Sequence, residues 1–179
     1  MTAAGDITFR PLAEADLPML HQWLNRPHMR PFFQRNPINL AEVLAKYGPR
    51  IRGEMPTLCH LAMKEGRAVG YLQCYRIADW PDYAREIDGW DAIGIDGAIA
   101  DPKLINHGFG RVVIASYLRD VAFPAFPDLK RCVVCYDEAN VAVGKALEAA
   151  GFRHVRDLFE GGLPSRMMQL DRPEPPERT

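Results

Sequence analysis

An α/β fold built on one mixed, mostly antiparallel sheet flanked by helices is what the sequence predicts, and three observations point to it. Short β-prone runs alternate with stretches whose apolar residues recur at helical spacing. The order of these segments, β-α-α-β-β-β-α-β-α-β-β, places strands and helices in one continuous succession rather than in separate blocks. No internal repeat and no Pro-, Gly- or Ser-rich linker divides the chain, so a single domain over residues 1–170 is expected, followed by a Pro- and charge-rich disordered tail over 171–179.

Each element has its own signature. Ile7 to Arg10 is a short β-prone run, and in Glu14 to Asn25 the residues Leu17, Leu20, Trp23 and Leu24 fall on one helical face. Pro31 and Pro37 punctuate a loop, after which Asn39 caps a helix that is expected to end near Tyr47, before Gly48-Pro49. Leu58 to Lys64 and Ala68 to Ile77 read as two strands joined through Glu65-Gly66-Arg67. Asp79 to Asp91 lacks either period and is expected to be irregular. Ala92 to Ala100 is a strand. A glycine-bearing turn then leads into an apolar helix over Arg111 to Ala122, which Pro124 and Pro127 should terminate. Arg131 to Tyr136 reads as a buried strand, and Asn140 to Ala150 as a helix closed by Gly151 at its C′ position. Phe152 to Phe159 and Ser165 to Leu170 finish the chain as an antiparallel pair around Gly161-Gly162.

Composition excludes several roles. With 22 basic and 23 acidic residues in 179, the net charge of −1 gives no field to hold a nucleic-acid backbone or an anionic membrane. Met1 to Arg10 holds no apolar core of a leader, and nowhere do about 18 apolar residues run together. A soluble, cytoplasmic protein with neither a nucleic-acid nor a membrane partner is therefore expected. The four cysteines, Cys59, Cys74, Cys132 and Cys135, are read as free thiols. Residues three apart on a strand point to opposite faces, so Cys132 and Cys135 cannot chelate one metal, and no metal is expected.

Asn106-His107-Gly108-Phe109-Gly110-Arg111 lies between a strand and a long helix. Glycines allow close approach of the main chain to a ligand, and the N–H groups and dipole of a helix start favour an anion such as a pyrophosphate. A plain structural turn needs glycine too, so this segment alone supports only anion binding. A strand later, Asn140 opens an Ala-rich helix ending in Ala149-Ala150-Gly151-Phe152.

Together these two segments resemble the cofactor side of GNAT acyltransferases. Leu20 to Arg26, Val69 to Tyr75 and Gly94 to Ala100 resemble, in order, the aminoglycoside 6′-N-acetyltransferases, and more loosely the acyltransferases of siderophore assembly. The likeness runs from about Phe9 to Leu170. It implies a single-domain GNAT fold whose two central strands splay apart, with acetyl-CoA (CoA) as cofactor and the pantetheine arm in the gap. It implies cofactor contacts at Ala98, Ile99, Ala100, Ile105, Asn106, His107, Gly108, Phe109, Gly110, Arg111 and Asn140. Backbone N–H groups at a strand bulge near Ala98 and Ile99 would polarise the acyl carbonyl. The implied partner is a small-molecule amine, with a homodimer allowed.

Asp96 is the candidate base. Freeing the lone pair of an ammonium of pKa roughly 9 to 10 near pH 7 costs about 3 to 4 kcal/mol, and a carboxylate on the strand beside the thioester is well placed to accept that proton, directly or through water; the plain alternative is that Asp96 caps a strand bulge. Asp79, Asp82, Glu86, Asp88 and Asp91, with only Arg85 among them, would form an acidic rim suited to a polycation, although most acidic loops are merely solvated. Trp80, Tyr83 and Trp90 offer flat surfaces for a ring or anchors for the loop. Phe32, Phe33 and Glu54 belong to the opposite wall in the resembled fold, and Tyr75 lies in the matching strand on the acceptor side.

Two positions depart from the family pattern. Ile105 replaces a polar residue that commonly opens the cofactor turn, and Leu147 replaces a tyrosine that can protonate the departing thiolate. Tyr136, Cys135 or solvent remain as donors. The expected activity is acetyl transfer to a primary amine, most specifically an aminoglycoside 6′-amine, by direct attack in a ternary complex. An acyltransferase for a siderophore precursor or polyamine, and a non-catalytic acyl-CoA-binding module, are the alternatives.

Overall fold

The computed structural model describes residues 7–174. Seven strands form one sheet in the order β1-β2-β3-β4-β5-β7-β6. The strands are β1 (Ile7–Pro11), β2 (Leu58–Lys64), β3 (Arg67–Arg76), β4 (Ala92–Ile99), β5 (Arg131–Asp137), β6 (Arg153–Glu160) and β7 (Leu163–Asp171). Every neighbouring pair is antiparallel except β4 and β5, which run parallel.

Helices cover both faces. On one, α1 (Leu17–Leu24) and α2 (Leu40–Ile51) bury Leu17, Leu20, Trp23, Leu24, Val43 and Tyr47 against Cys59, Leu61 and Tyr71. On the other, α4 (Phe109–Tyr117) and α6 (Val141–Ala149) bury Phe109, Val113, Tyr117 and Leu147 against Leu72, Ile93, Ile95, Cys132 and Val134. A smaller cluster under α3 (Pro81–Ile87) joins Ile77, Ala84 and Ile87 to Ala92, Val133 and Met167. Cys132 and Cys135 enter different clusters, as the alternation of a strand requires.

Four segments differ from expectation. The helix α2 starts at the capping box of Asn39 and Glu42 but runs through Gly48-Pro49 to Ile51. Pro49 removes one helical hydrogen bond, and burial of Val43 and Tyr47 on the same face holds the last turn in place. The strand expected to reach Ile77 ends at Arg76 in a 3₁₀ turn, Ile77–Asp79, and the stretch read as irregular holds α3, with Pro81 at its first position and left-handed Asp88 closing it. The helix α4 begins two residues early, at Phe109. It passes through a π turn, Leu118–Ala122, into the short α5 (Phe123–Ala125), so Pro124 sits inside the helical path rather than ending it. Of the expected tail, Asp171 belongs to β7, and Arg172 donates to the carbonyls of Phe123, Phe126 and Leu129. Residues 175–179 lie outside the described part.

The central feature is a fork. Between β4 and β5 only Ala92–Arg131, Ile93–Cys132 and Gly94–Val133 pair, whereas β4 stays paired to β3 as far as Ile99 and β5 to β7 as far as Asp137. Tyr75 stands opposite Gly94, and a Cβ there would meet its ring at 2.5 Å, so only glycine lets the ring lie across the strand at the fork. Gly94→Ala should therefore destabilise the protein by about 1–3 kcal/mol through overpacking, measured by urea unfolding. A midpoint equal to that of the parent protein would mean that the ring has room to move aside.

Candidate active site

A cleft of about 1390 Å³ runs along the fork and is lined from both faces of the sheet. At one end, Ile105, Asn106 and Gly108 of the turn before α4 and Gly110 and Arg111 of its first turn line the cleft together with Asn140, Val143 and Ala146 of α6 and its cap. Asn106 and Gly108 both adopt left-handed backbone, at φ 64° and 74°, which bends the chain into the first turn of α4. A Cβ on Gly110 would come within 3.3 Å of the Ala146 Cβ, and one on Gly108 would enter open space. The lining here is thus glycine backbone beside a helix N-terminus with the Arg111 cation, a donor set that fits a pyrophosphate. Asn140 spends its side chain on capping α6, accepting from the Val143 N–H at 3.3 Å.

Three residues expected at this end do not line the cleft. The Phe109 ring is buried in the core, Ala100 is buried and donates its N–H to Val69, and His107 is exposed with Nδ1 2.8 Å from the Ile105 carbonyl. Ala98 and Ile99 do line the cleft, but the expected bulge is absent there. The β3–β4 register is continuous from Arg76–Ile93 to Gly70–Ile99 because Gly70 and Gly97 let the backbones approach. What leaves the main chain of β4 available is the loss of β5 as a partner beyond Gly94.

At the middle of the cleft stands Asp96. It pairs in register with Gln73, whose Nε2 donates to Asp96 Oδ2 at 2.8 Å. The Gln73 carbonyl oxygen in turn accepts from Arg50 Nη1 at 2.7 Å and from the Tyr71 hydroxyl at 2.8 Å, which fixes the amide orientation. Burial raises the Asp96 pKa above the ordinary carboxylate range, against the opposing pull of Gln73, Tyr75, Arg50 and Lys46. Glu160, from the end of β6, also lines the cleft and is raised, first by burial and then by the Asp96 and Glu86 charges. Two carboxyls in one cleft, both raised by burial, are candidates for proton transfer.

The acceptor end is bounded by Phe33, Tyr47, Tyr75, Trp80, Tyr83, Lys46 and Arg50. Of the expected acidic rim, Asp82 is fully exposed and paired with Arg85, and Asp91 is paired with Arg131. Asp82, Glu86 and Asp88 do not line the cleft, because α3 turns its Ala84 and Ile87 inward and its acids toward solvent. Trp90 is exposed, and Glu54 pairs with Arg52 at 2.7 Å outside the cleft. Lys46, Arg50, Gln73 and Glu160 are functional candidates that sequence reasoning missed.

On the cofactor side Leu147 is buried and donates nothing. The Tyr136 hydroxyl, however, packs against Gly144, where a Cβ would lie 2.5 Å from it, and Tyr136 lines the cleft. Cys135 lies on the other face of β5, and burial pushes its thiol up to about 12, which leaves no thiolate for covalent catalysis near neutrality. Among the described residues no cluster of three His, Cys, Asp or Glu could hold a metal, and no helix is long and apolar enough to cross a membrane.

Comparison with known proteins places this geometry. The profile of the acetyltransferase (GNAT) domain matches residues 13–158. Aminoglycoside N(6′)-acetyltransferase type 1 of Klebsiella pneumoniae is 27% identical over 150 residues, covering 82% of this chain and 73% of that protein. Lysine N-acyltransferase MbtK of Mycobacterium tuberculosis is 28% identical over 164 residues, covering 87% and 71%. Among solved structures, AAC(6′)-Ib with paromomycin and acetyl-CoA superimposes with a TM-score of 0.84 at 25% identity, covering 93% of this chain and 94% of that one. AAC(6′)-Ib with coenzyme A and kanamycin gives 0.82 at 26% identity, covering 93% and 95%.

The burial of Asp96 has a consequence for stability. Its folded-state pKa lies above the unfolded value of about 3.9, so the proton favours the folded state. That contribution is complete below about pH 4 and is lost as pH rises through the raised value. Asp96→Asn, which cannot ionise, should be more stable than the parent at pH 7 and close to it at pH 4, read by thermal unfolding at both pH values. A variant less stable at pH 7 would mean that the bonds to the carboxylate outweigh its desolvation.

Proposed function

The chain belongs to the acetyltransferase (GNAT) family and is an acyl-CoA-dependent N-acetyltransferase, and from that premise we propose that it acetylates a primary amine of a small molecule by direct attack in a ternary complex. The observation that carries this reading is the continuity of the cleft: it joins the glycine turn before α4, the unpaired edge of β4 and the Asp96 carboxyl in one space. Bound acetyl-CoA supplies the activated acyl group.

The residues then have separable tasks. Gly108, Gly110, Arg111 and the first N–H groups of α4 hold the phosphates, and the β4 edge from Ile95 to Ile99 offers main-chain groups to the pantetheine arm. Asp96, held by Gln73, orients the acceptor ammonium and takes its proton, directly or through one water. Its raised pKa narrows the gap to the amine, which makes the transfer less uphill than to an ordinary carboxylate. N–H groups of β4 that have lost β5 are available to the acyl carbonyl oxygen. Tyr136 supplies a proton donor on the cofactor side, where Leu147 has none.

Two acceptor classes fit the family. An aminoglycoside 6′-amine is supported by the likeness to the aminoglycoside acetyltransferases over most of the chain, and by the aromatic walls at Phe33, Trp80 and Tyr83. A lysine-type amine is favoured by the cations Lys46 and Arg50 beside Asp96, a poor environment for a polycation. Thiol release from acetyl-CoA with kanamycin, cadaverine and lysine tests the proposal. Asp96→Asn should lower kcat/KM with the best amine by about 10²–10⁴-fold while leaving coenzyme A binding unchanged. Activity within about threefold of the parent would remove Asp96 from the role of base, and no thiol release with any amine would point to a binding module.

A further inference from the structure

Lys46 and Arg50 are one helical turn apart on α2, and both line the acceptor end of the cleft. Like charges at this spacing repel. Here neither side chain forms a salt bridge among the described residues. The Lys46 ammonium donates to the Gln34 side-chain oxygen at 3.3 Å and lies 5.5 Å from the centre of the Tyr47 ring. The Arg50 guanidinium gives Nη1 to Gln73 at 2.7 Å and lies 5.3 Å from the centre of the Tyr47 ring. Its Nε is buried with no acceptor, whereas buried donors are nearly always paired, and the guanidinium also lies beside the Cys59 thiol.

The location narrows what could complete the pair. The phosphate-type turn before α4 belongs to the opposite helical layer, whereas α2 covers the face that carries Gln73 and Asp96. Arg50 is separated from the Asp96 carboxyl by one amide side chain. An anion at Lys46 and Arg50 would therefore sit within a few bonds of the reacting amine. Asp96 is the carboxylate that acts on both cations, and it is needed for the ammonium.

We propose that Lys46 and Arg50 form a carboxylate subsite of the acceptor end, so that the reaction joins the acyl group and an amine of which one carries a carboxylate. This rests on the reading of Asp96 as the amine site. Two sources supply that chemistry: an acceptor of amino-acid type, with its ammonium at Asp96 and its carboxylate at Arg50, or a dicarboxylic acyl group whose far end reaches past the thioester.

The test compares kcat/KM for lysine against cadaverine with acetyl-CoA, and for succinyl-CoA against acetyl-CoA with cadaverine. A preference of tenfold or more for lysine assigns the carboxylate to the acceptor, and the same preference for succinyl-CoA assigns it to the acyl chain. In either case Lys46→Met and Arg50→Met should each cut the preference ratio at least threefold. If the two cations only tune Asp96, both members of a pair change together and the ratio stays, which overturns the subsite. Absence of a preference in both arms overturns it as well. Should no amine release thiol, the amine-transfer reading fails separately, and calorimetric titration of lysine and cadaverine into the coenzyme A complex still decides the subsite. Tighter binding of lysine that Lys46→Met abolishes supports it, and equal affinities there together with equal affinities of succinyl-CoA and acetyl-CoA for the free protein refute it.

Discussion

The ladder between β4 and β5 stops after three residue pairs, and most of the site follows from that interruption. Backbone N–H and C=O groups need partners wherever they are buried, so two strands held by β3 and β7 but parted from each other leave an edge that something else must satisfy. An extended arm carrying amides is chemically suited to that edge, in the manner of a strand added to a sheet. The glycines near the fork serve the same geometry. Gly94 makes room for Tyr75 across the strand, and Gly144 makes room for the Tyr136 hydroxyl on the far face. The parted strands thus place one phenol ring on each side of the opening.

Much of this was legible from pattern alone. Period-2 and period-3.6 apolar spacing located all seven strands and the four long helices, since those periods record which side of an element faces the core. Punctuation by proline was less dependable. Pro49 and Pro124 both lie within helical paths, because one missing hydrogen bond is a local cost and burial of residues such as Tyr47 and Phe123 offsets it. The short α3 went unread because seven residues rich in charge carry too little periodicity to distinguish a helix from a loop.

The site was legible where its residues are sequence neighbours and obscure where register assembles them. The turn around Gly108 and the Asp on β4 could be found locally, and both line the cleft. Gln73 comes to Asp96 from the neighbouring strand, a proximity fixed by sheet pairing and invisible in linear spacing, and Glu160 reaches the same cleft from the end of β6. Arg50 was hidden by the proline that seemed to end its helix. The acidic stretch from Asp79 to Asp91 illustrates the opposite error. Charge density along the chain suggested a rim, but α3 turns Asp82 and Glu86 toward Arg85 and water, and Asp91 beyond it pairs with Arg131.

The two ends of the cleft are also built from different stretches of chain. The donor end comes from residues beyond the fork, in α4 and α6, and the acceptor wall from α2 and α3, inserted between strands that precede it. Changes in the acceptor wall need not disturb the phosphate turn, since the sheet stands between the two helical layers. Such a layout lets selection exchange one substrate for another while the energy source of the reaction stays constant. It gives a physical basis for how relatives named for an antibiotic and for lysine can share one scaffold.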